Sequence, residues 1–97
     1  MHERSGGRCE RCTAWNGVEI HHRRPRAMGG SRDPATNTPA NGVLLCTHCH
    51  RWVESHRDQA FSDGWLVRQG HDPAAVSVLY HGARGALLTP EGLIVFE

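Results

Sequence analysis

Two Cys-x-x-Cys pairs, Cys9/Cys12 and Cys46/Cys49, constrain this chain more than any other feature. Each pair offers two thiols from one tight knuckle. Two knuckles together can close a tetrahedral four-thiolate site, the usual arrangement for structural zinc. The competing use of four cysteines is a pair of disulfides. The chain has no apolar run approaching the ~18 residues of a membrane span, and "MHERSGGRCE" lacks a signal-peptide core, so an intracellular, reducing setting is expected and metal is favoured. A stabilising ion also suits the size. The 97 residues make one domain with a thin core, since so short a chain buries only about 60% of its unfolded surface. Zinc binding can add about 10–16 kcal/mol of apparent folding free energy in small peptides.

The knuckles are 33 residues apart (13–45), well beyond the ~15–20 of a simple zinc finger, so a substructure can be looped out between them. "VEIHH" (18–22) alternates in the strand manner, with Val18 and Ile20 on one face and Glu19 and His21 on the other. "RRPRAMGGSRDPATNTPAN" (23–41) is rich in proline, glycine and small polar residues and reads as a loop. "GVLL" (42–45) is a short apolar run leading into the second knuckle, suited to pair with 18–22. "THCHRWVESHRDQAF" (47–61) reads as a helix with Thr47 as a possible N-cap. Beyond residue 62 the signals weaken. "GWLVRQG" is a candidate strand, "DPAAVSVLY" opens like a short helix, and "GALLTPEGLIVFE" reads as a hairpin turning at "TPEG". Trp15, Trp52, Trp65 and Phe96 are expected to fill core.

Charge is unevenly placed. Residues 1–57 carry nine arginines against five acids, +4, and residues 58–97 carry two against five, −3, with no lysine anywhere. A basic first half points to an anionic partner.

The histidines form a second constellation. His21 and His22 close the first strand, and His50 follows Cys49 at the start of the helix. Successive helical residues diverge by about 100°, so Cys49 can face one ion while His50 faces elsewhere. If the two strands pair, His21 or His22 approaches His50, and two imidazoles can share a second metal. Glu54, four residues after His50 on the same helical face, is a candidate third ligand. So few protein ligands leave positions open to water and substrate, the mark of a catalytic metal. His2, His48, His71 and His81 are expected to be ordinary surface or capping groups.

Taken together, "C-x2-C … EIHHRRPRAMGGS … NGVLLCTHCHRWVE" resembles the HNH (His-Asn-His) endonucleases over about residues 9–57. The resemblance rests on the coincidence of the His-His pair, the proline and Gly-Gly after it, the asparagine five residues before a cysteine, and C-x2-C-H. It implies a small α+β fold: a ββα-metal (His-Me finger) core braced by a four-cysteine zinc, with a β-rich C-terminal extension. The expected division is a nuclease core with its knuckles over 1–62 and an extension packed on it over 63–97. It further implies that His21 and His50 hold a catalytic divalent metal (Mg2+, Mn2+, Ni2+ or Zn2+), that His22 is the general base, and that Asn41 pins the loop behind it. Where many relatives place another histidine, this chain has Glu54. The implied reaction is hydrolysis of DNA phosphodiester bonds to 5′-phosphate and 3′-hydroxyl ends.

On that reading Arg23, Arg24, Arg26, Arg32 and Arg51 contact DNA phosphates, with Arg57 extending the footprint, because guanidinium forks suit phosphate oxygens. The phrasing "GWLVR … DPA" resembles small HNH proteins of phages, which implies the cytoplasm of a bacterial or phage-infected cell. Two other readings compete: a zinc-stabilised nucleic-acid-binding module without catalysis, and a packaging accessory nuclease acting with a phage terminase.

Overall fold

The computed structural model describes residues 2–15, 18–25 and 38–97. The chain is small and α+β. A short helix α1 (His2–Ser5) leads to β1 (Val18–His22), β2 (Gly42–Cys46), α2 (Thr47–Ser55), α3 (Arg57–Asp63), a 3-10 turn at Pro73–Ala75, and then β3 (Val78–Tyr80), β4 (Arg84–Leu88) and β5 (Ile94–Phe96). Among the described residues no helix is long and apolar enough to cross a membrane.

The two middle strands pair antiparallel as their alternation suggests, from Val18 opposite Cys46 to His22 opposite Gly42. β2 is buried along its whole length and runs straight into α2. β1 is more selective: His21 is buried, whereas the apolar Ile20 stays half exposed. The helix expected over 47–61 is interrupted at His56 (φ −124°, ψ 55°). The Ser55 hydroxyl turns back to the carbonyls of Arg51 and Trp52, offering the backbone a local alternative to continued helix. The His56 ring stacks on Trp52 with centroids 5.1 Å apart. The cap is also not Thr47. Cys46 Sγ accepts the amide of Cys49 and caps α2, while the Thr47 hydroxyl donates to Glu19.

The C-terminal hairpin forms as expected, Leu88 opposite Ile94, with Thr89 Oγ1 accepting the Leu93 amide across the turn. β3 pairs on the other side of β4. "GWLVRQG" is not a strand. The amides of Trp65 and Leu66 return to the Ala60 carbonyl and that of Val67 reaches the Arg23 carbonyl, so the segment closes α3 and wedges against the end of β1. Gly64 makes this possible. It sits at φ +84°, and a Cβ there would lie 2.0 Å from the Ser77 carbonyl oxygen. Gly64→Ala combines left-handed strain with a backbone clash, each costing about 1–3 kcal/mol. Its thermal midpoint should fall by more than about 10 °C in a circular-dichroism melt. A midpoint within a degree or two of wild type would show that this approach does not exist.

One apolar cluster joins Cys9, Val43, Leu45, Val53 and Ala60 to Trp65, Val78, Tyr80, Ala86 and Leu88, so both halves of the chain share a core. Of the aromatic residues expected there, Trp65 is fully buried. Trp52 is partly buried, with the Arg11 guanidinium 3.7 Å from its ring centroid. Trp15 is exposed with Arg8 over it, and Phe96 is exposed with Arg84 over it. Buried charges tie the halves together, Glu10 and Arg23 among them. Glu10, inside the first knuckle, accepts from Arg4 Nε (2.6 Å), Arg4 Nη2 (3.0 Å), the Leu44 amide (2.7 Å) and the Tyr80 hydroxyl (2.8 Å). Burial, then the Glu10 carboxylate, push the Tyr80 hydroxyl pKa up, so it remains a donor. The second of these is Arg23.

Candidate functional site

The fold gathers the knuckles first. All four cysteines are free, and their Sγ atoms lie within 4.8 Å of one another. Cys12 Sγ and Cys46 Sγ are 3.6 Å apart. An ion bound tetrahedrally at ~2.3 Å from each sulfur needs neighbouring sulfurs about 3.8 Å apart, so this cluster could hold zinc with little movement. Several N–H donors face the sulfurs. The amides of Cys12 and Cys49 point at Cys9 Sγ and Cys46 Sγ, and Arg11 Nη1 reaches Cys49 Sγ at 3.3 Å. Burial pushes the Cys49 thiol pKa up. Cys9 is buried as well, yet amides of Cys12, Cys46 and Arg11 bring its pKa down to about 7. Arg11, which also covers Trp52, is a contributor that spacing alone did not single out.

The strand pairing then brings the distant histidines together. The rings of His21 and His50 have centroids 5.2 Å apart, inclined at 60°. His50 lies between two carboxylates, with Nδ1 3.7 Å from Glu19 Oε2 and Nε2 3.5 Å from Glu54 Oε1. Glu19 was not among the residues the motif pointed to, although its place two residues before His21 puts it on the same strand face. Two imidazoles and a carboxylate are a donor set that suits a divalent transition ion. His21, His50 and Glu54 are nonetheless looser than the thiols. Among the described residues, only the cysteines place three or more donor atoms all within 4.8 Å of one another. His21 Nε2 lies 2.9 Å from the Trp65 carbonyl oxygen. Burial lowers the pKa of His21, against the effect of that carbonyl, and favours the neutral ring that a ligand must be.

His22, the next residue on β1, is half-buried and so keeps access to solvent. Its ring makes no hydrogen bond or ion pair with the described residues. Asn41 is fully buried and clamps the chain just beyond it. Asn41 Oδ1 accepts the Arg24 amide at 2.6 Å, Nδ2 donates to the Arg24 carbonyl at 3.1 Å, and the Asn41 carbonyl accepts the Arg23 amide at 2.8 Å. The chain just after His22 is therefore held at both the amide and the carbonyl of Arg24, and at the Arg23 amide, by one residue.

The arginines require a correction. Arg23 and Arg24 are buried and do not form a phosphate-binding surface. The Arg23 guanidinium donates to the carbonyls of Gly64, Ala40, Pro73 and Val76, and burial followed by the Arg4 cation lowers its pKa to about 10, still charged at neutrality. Arg24 Nη1 donates to the His71 carbonyl at 2.8 Å. The physical reason is that a buried cluster of carbonyls needs donors, and a guanidinium supplies up to five. Arg51 is exposed on α2 beside His50, and Arg57 is exposed at the start of α3. Arg26 and Arg32 lie outside the described residues.

Among known families, the family model for HNH endonucleases matches residues 9–55, the stretch from the first knuckle to the end of α2. No curated protein and no solved structure matches the chain.

Proposed function

We propose, from the match of residues 9–55 to the HNH endonuclease family, that the chain is a metal-dependent endonuclease that hydrolyses DNA phosphodiester bonds to 5′-phosphate and 3′-hydroxyl ends. The observation that carries the reading is the approach of His21 to His50, residues 29 positions apart in sequence, beside a solvent-accessible His22 on an asparagine-clamped strand end. In this reading β1, β2 and α2 are the ββα-metal unit and the four cysteines hold structural zinc.

Hydrolysis needs a water made nucleophilic, charge neutralised on the phosphoryl group, and a stabilised leaving oxygen. His22 Nδ1 or Nε2 takes the proton from water as its oxygen attacks phosphorus, and the bond from phosphorus to the 3′ oxygen breaks, that oxygen taking a proton from solvent water to leave as the 3′ hydroxyl. When bound, the divalent ion supplies Lewis-acid stabilisation of the phosphoryl and leaving oxygens. His21 and His50 would hold it, with Glu54 as the carboxylate beside His50. Asn41 keeps the backbone under His22 from shifting, which matters because small misplacements of a base are costly in rate. Arg51 is the described arginine best placed to bind a neighbouring phosphate, an interaction that positions DNA without reading its sequence.

The reading is tested on supercoiled plasmid with zinc-loaded protein. Added magnesium, manganese or nickel should yield nicked circles that DNA ligase reseals directly, and a chelator should suppress them. Ligase-resistant nicks would overturn the assigned end chemistry, and cleavage indifferent to metal would overturn the mechanism.

A further inference from the structure

The hydrogen bond between His21 and Trp65 joins the matched segment to a residue beyond its end at residue 55. A main-chain carbonyl can only accept, so the Nε2 of His21 must carry the proton. A neutral imidazole has one N–H, which leaves Nδ1 as the bare nitrogen and the atom able to bind a metal. The Trp65 carbonyl is itself held in place. The Trp65 side chain is fully buried, and its amide donates to the Ala60 carbonyl at 2.9 Å. On one side the Gly64 carbonyl accepts from Arg23 Nε at 2.8 Å, and on the other the Val67 amide donates to the Arg23 carbonyl at 2.7 Å. Arg23 thus grips the segment on both sides of Trp65, two residues after His21.

We propose that the Trp65 main-chain carbonyl is a positioning group for His21: it fixes the tautomer with hydrogen on Nε2, so that the divalent ion of the nuclease site is taken on Nδ1, and it makes the segment from Gly64 to Val67 part of that site. The assignment rests on the nuclease reading above. Carbonyl partners of this kind set the ring orientation and tautomer of metal-binding histidines, and losing one typically costs 10–100-fold in metal affinity. The buried arginine that does not meet DNA therefore acts on the site from behind, through the carbonyl it holds in place.

The test is long-range 1H–15N correlation of the histidine rings in wild-type protein carrying one equivalent of zinc on the cysteines, followed by a second equivalent of zinc. Before the addition, His21 should show a protonated Nε2 and the downfield Nδ1 of an unprotonated nitrogen. The second zinc should move Nδ1 upfield and leave the proton on Nε2. A merely structural contact would not put the metal-induced shift on Nδ1. A ring protonated on Nδ1, or a zinc shift on Nε2, overturns this assignment alone. A second zinc that disturbs neither His21 nor His50 overturns the metal reading of the site, and this assignment with it.

Discussion

His22→Ala is expected to lower plasmid nicking by about 10²–10⁴-fold, the usual contribution of a positioned general base, while leaving fold, zinc content and DNA affinity unchanged. The separation of effects follows from where the residue sits. The His22 ring is half-buried and without a hydrogen bond among the described residues, so its removal breaks no network. It is also at the far end of β1 from the second knuckle, since Val18, not His22, lies opposite Cys46. The thermal midpoint should stay within a few degrees of wild type. Gel-shift affinity for a short duplex should not move, because phosphate contacts belong to arginines. Nicking at near wild-type rate by a well-folded His22→Ala protein would remove His22 as the base. A wild-type protein that binds duplex but never nicks it would favour a binding module.

Cys46→Ser should lose its zinc and unfold. Cys46 has two jobs, as one of four clustered thiols and as the residue whose Sγ caps α2. Serine is a good N-cap, so the substitution keeps the second job and removes the first. What remains is three thiols and a hydroxyl, with Cys9 and Cys49 buried and Cys12 exposed. Structural zinc in small domains contributes about 10–16 kcal/mol of apparent stability, comparable to or larger than the about 5–15 kcal/mol by which domains are stable at all. Metal content by mass spectrometry should drop well below one zinc per chain, and the circular-dichroism spectrum should be that of a largely unfolded chain at room temperature. A zinc-free variant with a wild-type spectrum and melting curve would show that the thiols do not hold the fold together.

Arg23 shows most clearly what local sequence leaves open. In the row of arginines after His22 it looks like part of a solvated cationic loop. Whether a guanidinium meets phosphate or protein depends on which carbonyls the rest of the chain brings to it. Here they come from Ala40, Gly64, Pro73 and Val76, far along the sequence. Glu10 and Glu19 were unreadable for the same reason: their partners Tyr80 and His50 are distant in sequence.

What was determined by the order of residues alone is whatever depends on short-range spacing. Each Cys-x-x-Cys knuckle, the alternation of 18–22, the apolar run at 42–45 and the terminal hairpin all rest on intervals of a few residues, and periodicity or ligand spacing constrains such intervals directly. The tertiary structure decided which face of β1 is buried, that the helix breaks at His56, that Trp15 stays outside while Trp65 goes inside, and that a carbonyl from residue 65 meets His21. Those outcomes depend on which buried polar groups find partners across long loops. Burial makes an unpaired group costly wherever its partner lies in the sequence.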